Sequence, residues 1–457
     1  MSVTLYAHQE ETVNFLTLHP RTFVTSTCGT GKTISILEAF NRRHLKTMAK
    51  MLVIAPKSTL HPVWAQDIRD YYPNLKCGVL DRKALKKDPE FYMTKLLSRN
   101  DIVVINIEGA DLLLNHAYVF PVEGFDTLVI DEFTSIKNRT SQRSKTVGKL
   151  AKNFEYRYLL SGSPTPNGIV DIWHPALVLD DGVRLGANFF HFRSAVCQPV
   201  EKGTYQKFTE WQEITGAADV IGDTLRDITI RHELEEVIDM PERIYRTLTV
   251  EMPATLRKSY NAMKDNALLE LAAEDITAVN AAVVGNKLLQ IASGSIYGED
   301  QAGISLDSTK YELITELVAE RDHSIVFYQW NHQCDEMEKQ LGKQKISYEI
   351  IRGATSAVQR AQIITDYQAG KYQTLLLQPA AAAHGITLTR STASIWCSPT
   401  YNLEHFIQAN YRDYRIGQKK RSEVIMIQYE DTIEAKVYDS LQHKRKALDN
   451  LLQILKS

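Results

Sequence analysis

Residues 26–33 read STCGTGKT, between an apolar RTFV and an amphipathic ISILEAF. Gly29 and Gly31 let a backbone curl tightly, and a helix opening at Lys32 turns its free amides toward that curl, where an anion is favoured. Lys32 adds a point charge suited to the outer phosphates of a nucleotide, and the Thr33 hydroxyl is suited to ligate Mg²⁺. Ser26, Thr27, Cys28, Gly29, Thr30, Gly31, Lys32 and Thr33 are together read as a cradle for ATP, although Ser26 replaces the first glycine of the strict G-x-x-x-x-G-K-[ST] pattern. The competing reading, a glycine turn that happens to precede a lysine, gives no reason for the strand before it and the helix after it. Cys28 reads as a small filler whose thiol the adjacent helix terminus could activate.

A phosphate cradle needs a metal-organising acid on a neighbouring strand. FDTLVIDEFTSIKN supplies Asp131 and Glu132 at the carboxyl end of an apolar run, where α/β sheets place their ligands. Asp131 is suited to hold Mg²⁺ through water, and Glu132 to orient and deprotonate an attacking water. An isolated acid pair could instead cap the segment that follows.

These groups require sheets to hold them. RTFVTST, MLVIAP, DIVVIN, TLVIDE and YRYLLSGS are short β-rich runs, each followed by polar or amphipathic sequence, the pattern of a parallel sheet wrapped by helices. SIVFYQW, TLLLQPA, ASIWCSP and VIMIQYED form a second such series. The expected fold class is therefore α/β, with one lobe over 1–234 and another over 306–457. Between them, 235–305 reads as a helical insertion or bridge without strand signal, with GEDQAGISLDS as the linker into the second lobe.

A chain of 457 residues exceeds one ordinary core, which fits two or three packed units. No apolar run approaches the roughly 18 residues of a membrane helix, and MSVTLYAHQEETVNFL lacks the layout of a secretion signal, so a cytoplasmic protein is expected. Five scattered cysteines without a C-x-x-C pair suggest neither a disulfide framework nor a zinc cluster. With a formal net charge of −2, any nucleic-acid contact must come from local basic patches.

The series of motifs resembles helicase superfamily two, specifically the Swi/Snf-like DNA-translocating ATPases of minimal phage or bacterial type. LYAHQEETVNFL resembles the family's adenine-reading segment, which implies Gln9 as an adenine contact. LVIAPKSTLHPVWAQDI is similar to its P-x-S-L-x-x-x-W segment, IDEFTSIKNRTSQRSK to DEAHxIKNxxSxxxK, and YRYLLSGSPTPNGIVDIW to R-x-x-L-T-G-T-P-x-x-N…D-x-W. QANYRDYRIGQ resembles QAxDRxHRIGQ. The resemblance implies two RecA-like lobes with ATP between them and double-stranded DNA as partner. On a helix through NLEHFIQANYRDYR, Arg412 and Arg415 would share a face and could serve as arginine fingers, though a solvated basic face is the plainer alternative. Gly385 in HGITLT resembles the second-lobe loop that links ATP to DNA.

Ser26 stands where many members carry an acid, DEFT replaces DEAH, and Tyr411 and Tyr414 replace the Asp and His of the arginine motif. Candidate phosphate-backbone contacts are Lys137, Asn138, Arg139 and Lys145 after the acid pair, Arg352, and the run Lys419, Lys420 and Arg421. The amphipathic HKRKALDNLLQILKS is expected to pack on the second lobe. The expected activity is DNA-dependent ATP hydrolysis that drives movement along duplex DNA, the motor being recruited by a partner protein. A strand-separating or branch-migrating helicase and an ATP-gated DNA clamp with little turnover are the alternatives.

Overall fold

The apolar runs become strands that are buried along their length, as parallel sheets covered on both faces require. In the computed structural model, residues 3–80, 88–115, 124–202, 208–273, 278–297, 303–382 and 386–456 are described. The first sheet is built from β1 (Arg21–Val24), β2 (Lys50–Ile54), β3 (Cys77–Val79), β4 (Ile102–Ile105), β5 (Phe125–Asp131) and β6 (Tyr156–Leu160). A hairpin pair, β7 (Cys197–Lys202) and β8 (Phe208–Glu213), stands apart, and β9 (Thr229–Ile230) returns to the sheet edge. The order is β3-β4-β2-β5-β6-β1-β9, and every pairing is parallel. Because β6 lies between β1 and β5, the loops leaving these three strands emerge side by side at one carboxyl edge.

The second sheet runs β10-β17-β16-β13-β15-β14, again wholly parallel. Its strands are β10 (Arg243–Val250), β13 (Ser324–Phe327), β14 (Tyr348–Ile351), β15 (Thr374–Leu377), β16 (Ala393–Trp396) and β17 (Ser422–Tyr429), with the hairpin β11 (Ser295–Tyr297) and β12 (Gly303–Ser305) outside it. Here the structure differs from the expectation of a strand-free 235–305. Helices Ala254–Ala273 and Ala278–Ala292 do occupy that stretch, but β10 precedes them and pairs with β17 over its whole length. As an edge strand with one neighbour it remains largely solvent-facing, and Arg243 and Arg246 interrupt its apolar and β-branched positions.

Two compact units result. One comprises Met1–Pro199, Trp211–Asp239 and Arg445–Ser457, the other Val200–Glu210 and Met240–Lys444. The end of the long helix Ile433–Lys456 thus belongs to the first unit, not to the second as its amphipathicity suggested. Ile454 fills the space over Gly222 so closely that no side chain fits there. Arg226 Nε donates to the Ile454 carbonyl at 3.1 Å and Gln453 Nε2 to Glu233 at 3.0 Å.

Inside the second unit, Lys310 Nζ and Glu434 Oε1 meet at 2.7 Å with both side chains buried. The carboxylate also accepts from the Tyr429 amide at 2.9 Å, and the ammonium donates to the Ala292 carbonyl at 2.9 Å. Lys310→Met should lower the unfolding free energy by roughly 3–5 kcal/mol by stranding a buried carboxylate. Burial already raises the Glu434 carboxyl pKa, so the variant can neutralise it. The loss measured by denaturant titration should therefore shrink as pH falls toward 5 and grow as it rises.

Candidate functional site

The loop after β1 is held from three sides. Gly29 and Gly31 take φ of 91° and 82°, and the helix Lys32–Thr47 begins at once. A side chain at Gly31 would collide with the Gln9 amide, which donates to the Thr30 carbonyl at 3.2 Å and accepts the Tyr6 amide at 3.1 Å. His8 Nε2 lies 2.9 Å from the same carbonyl. The helix Ala7–Leu18 therefore lays its paired His and Gln against the loop. Lys32 Nζ donates to the carbonyls of Ser26 at 2.7 Å and Thr27 at 3.2 Å, a charge spent on backbone where a phosphate would compete for it. Thr30 Oγ1 closes the turn onto the Thr27 carbonyl at 2.9 Å.

Ser26 has a role of its own. Its hydroxyl accepts the His232 amide at 3.0 Å and Thr27 Oγ1 accepts the Leu234 amide at 2.8 Å, so both side chains fasten the loop to the segment after β9. Cys28 is buried with its sulfur against Gly162, in keeping with a filler. Thr33 is half-buried in the first helical turn.

At the carboxyl end of β5, Asp131 Oδ2 receives a 3.0 Å hydrogen bond from Trp64 Nε1. Trp64 is wholly buried in the π-helical turn Leu60–Ala65. Burial raises the Asp131 carboxyl above the usual range, while the indole N–H and the Lys32 charge act the other way. Glu132 follows in the left-handed region at φ 52°, a conformation that costs a non-glycine residue about 1–2 kcal/mol. Ser161, leaving β6 between the two loops, reaches its carboxylate at 3.5 Å. Backbone strain of this kind clusters at functional sites. Trp64 and Ser161 are the positions whose part the sequence did not reveal; the only signal was their place inside matching motifs.

In the second unit the helix Leu403–Asn410 ends before the arginines, so Arg412 and Arg415 lie in the turns beyond it and do not share a helical face as expected. Arg243 terminates the helix by capturing the Asn410 carbonyl. Arg412 is 3% exposed and donates to the carbonyls of Gln408 at 2.9 Å and Ile386 at 3.3 Å. Arg415 is half-buried, with donors on the Tyr411 carbonyl at 2.8 Å and Thr387 Oγ1 at 3.2 Å. Tyr411 and Tyr414 both present rings to the Arg243 guanidinium, at 5.6 and 4.8 Å, and Arg243 pairs with buried Asp413 at 3.3 Å. The tyrosines that depart from the family pattern thus clamp the arginine of β10. Gln418, last of the R-I-G-Q run, donates to the carbonyls of Thr389, Ser391 and Asp413 at 2.9–3.0 Å and accepts the Lys420 amide at 2.9 Å. Gly385 lies outside the described residues.

The basic candidates separate into different surroundings. Lys137 stands 3.5 Å from Asp171, and Asn138 shapes its own turn by accepting from Thr140. Arg139 lies over the rings of Phe189 and Phe190, and Lys145 is exposed on the helix Gln142–Ala151. Arg352 is engaged by Glu338 at 3.4 Å and Asp335 at 3.8 Å. Lys419, Lys420 and Arg421 are exposed; Lys420 is 3.6 Å from Asp322 and Arg421 pairs with Glu242. Lys419 and Lys420 line a cavity of about 730 Å³ with His323, Ser347 and Gln373, which immediately precede β13, β14 and β15. These two lysines therefore sit at the amino edge of the second sheet.

A phosphate-type turn beside an acid pair at one sheet edge, and paired arginines next to a second parallel sheet, define an ATPase of two α/β units. A model described as "SNF2-related domain" matches residues 8–294, and one described as "Helicase conserved C-terminal domain" matches 309–417. The chain belongs to the SNF2-related family of helicase superfamily two, whose members are ATP-hydrolysing enzymes. It is 26% identical to protein p41 of Acyrthosiphon pisum secondary endosymbiont phage 1, covering 98% of each chain. It is also 26% identical to an ATP-dependent helicase of Mycoplasma pneumoniae and to the Arabidopsis thaliana ISWI chromatin-remodeling complex ATPase CHR11, covering 93% of this chain in each comparison. It spans only 39% and 40% of those two proteins. The solved Sulfolobus solfataricus SWI2/SNF2 ATPase core in complex with dsDNA is 21% identical over 99% of this chain and 93% of that one, with a TM-score of 0.46. Among the described residues no helix is long and apolar enough to cross a membrane.

Proposed function

We propose that the protein is an ATP-driven translocase on double-stranded DNA. The observation that carries this reading is the joint placement of Lys32, Gln9 and a strained Glu132 at one carboxyl edge, in a chain of the SNF2-related family. Gln9 reads the adenine edge and the loop Ser26–Thr33 cradles the phosphates. Lys32 exchanges its two backbone carbonyls for phosphate oxygens. The Thr33 hydroxyl and the Asp131 carboxylate are hard oxygen donors that fit Mg²⁺, which when bound neutralises charge on the outer phosphates. Glu132 takes the proton of the attacking water, with Ser161 fixing its carboxylate. Arg415 supplies positive charge to the transferring phosphoryl group, and buried Arg412 braces the turn before it through the Gln408 and Ile386 carbonyls.

Lys137, Asn138, Arg139, Lys145, Arg352, Lys419, Lys420 and Arg421 remain candidates for phosphate-backbone contact. Of these, the stretch 137–152 is favoured. It holds Lys137, Arg139, Arg143, Lys145, Lys149 and Lys152 with no acid among them, and it begins just after Glu132. Arg352, Lys420 and Arg421 are less suited, being already matched by carboxylates, and within the favoured stretch Lys137 is held likewise by Asp171.

The reading is tested by steady-state hydrolysis without DNA and with single-stranded, duplex and forked DNA, together with displacement of a third strand from a triplex. Duplex stimulation with triplex displacement supports it. Fork unwinding without displacement selects a helicase, and ATP-sensitive binding without turnover selects a clamp.

Trp64 offers a second handle on the metal acid. Trp64→Phe keeps most of the buried ring but removes the N–H that fixes Asp131. The Mg²⁺ concentration for half-maximal hydrolysis should rise about tenfold, the lower end of what losing an outer-shell partner costs. A Mg²⁺ titration of the purified variant checks this, and an unchanged midpoint removes Trp64 from that task.

A further inference from the structure

The first unit carries a cluster of rings and guanidinium groups that the ATP reading leaves unused. The helix Phe189–Val196 presents Phe189 and Phe190 one turn before Arg193. Arg139 lies 4.5 Å from the Phe189 centroid and 5.0 Å from that of Phe190. Arg193 covers the Trp211 ring at 3.8 Å. Trp173 backs the cluster, its ring edge-on to Phe189 at 5.3 Å.

Three features set this apart from ordinary packing. Phe190 is 55% exposed even with the Arg139 and Arg193 guanidinium groups 5.0 and 5.5 Å from its ring centroid. Arg139 and Arg193 have no acidic partner among the described residues, whereas most arginines of this unit do. The Nε of Arg193 is shut off from solvent with no hydrogen bond among the described residues, so this guanidinium is held by ring contacts and meets a ligand through its charge and plane. A planar ring beside flat cations without an acidic partner suits a ligand with a π-face and negative charge. An unpaired nucleotide has both, and aromatic stacking of this kind is tolerant of base identity.

We propose that Phe190, Arg139 and Arg193 form a stacking site for one unpaired nucleobase, giving the motor a preference for duplex DNA interrupted by a gap or branch over continuous duplex. This rests on the DNA reading above and adds a subsite to it. Arg139 ties the site to the chemistry, since it follows Glu132 within the basic stretch that begins at Lys137.

The test uses the full-length protein and two otherwise identical duplexes, one continuous and one with a short single-stranded gap bearing 2-aminopurine. Binding should quench the 2-aminopurine fluorescence, and the gapped duplex should bind about tenfold more tightly, within the range of one stacked base. In Phe190→Ala the quench should vanish and the affinity ratio should fall to about one; Phe190→Trp, which keeps a ring face, should restore both. A thermal melt of each variant checks that the fold is retained. An unquenched probe, or the same affinity ratio in Phe190→Ala as in the parent, overturns the proposal and leaves the exposed ring as a surface for another protein. If the parent binds continuous duplex and hydrolyses ATP on it but shows no preference for the gap, only this proposal fails. If no DNA is bound at all, the translocase reading fails with it.

Discussion

Glu132→Gln should bind ATP within a few-fold of the parent while turnover falls by about 10²–10⁴-fold, the usual worth of a positioned general base. The amide preserves the size of a side chain that touches Ser161 but cannot take a proton, and nothing in the phosphate loop changes. Lys32→Ala should do the reverse and lose binding, because the charge that reaches over the loop to Ser26 and Thr27 is the one available to phosphate oxygens. Fluorescent-nucleotide titration paired with single-turnover hydrolysis separates the two. Turnover near the parent's in Glu132→Gln would take that residue out of the role assigned to it.

The paired arginines call for a sharper comparison. Arg415→Ala should reduce DNA-stimulated hydrolysis by about 10³-fold or more, as expected for a charge placed on a transferring phosphoryl group, with duplex binding retained. Arg412→Ala should also inactivate, but for a different measured reason. Arg412 is buried and gives its donors to the Gln408 and Ile386 carbonyls, so its loss opens unpaired acceptors in the second unit at a cost of roughly 1–3 kcal/mol each. Denaturant unfolding should show a lowered midpoint for Arg412→Ala and little change for Arg415→Ala. If Arg415→Ala hydrolyses ATP at the parent's rate, the charge on the transferring phosphoryl group is not its role.

Strands that are apolar throughout were legible as local runs, and so were the glycine turn that opens the helix at Lys32 and the place of the acid pair at a strand end, because each is a contiguous phrase. What escaped the sequence depends on partners far away along the chain. The helix before Arg412 stops where it does because Arg243, on a distant strand, takes the Asn410 carbonyl. Ser26 looked like a departure from pattern, yet its hydroxyl serves the His232 amide. Trp64 reads as a core aromatic until its N–H is found on Asp131. β10 escaped for a different reason: RIYRTLTV carries β-branched and aromatic residues, but two arginines break the run and the long helices after it dominate the stretch.

The segmented make-up of the first unit has a consequence for biosynthesis. Its earliest residues leave the ribosome first, but Arg445–Ser457, which packs Ile454 over Gly222, follows only after the roughly 200 residues of the second unit that separate it from Asp239. At translation rates of about 5–20 residues per second, that interval lasts on the order of 10–40 s. Throughout it the helix Ala217–Leu225 lacks the Ile454 side chain over Gly222. The unit begun first is thus completed last, and chaperone dependence is expected to concentrate on that waiting surface.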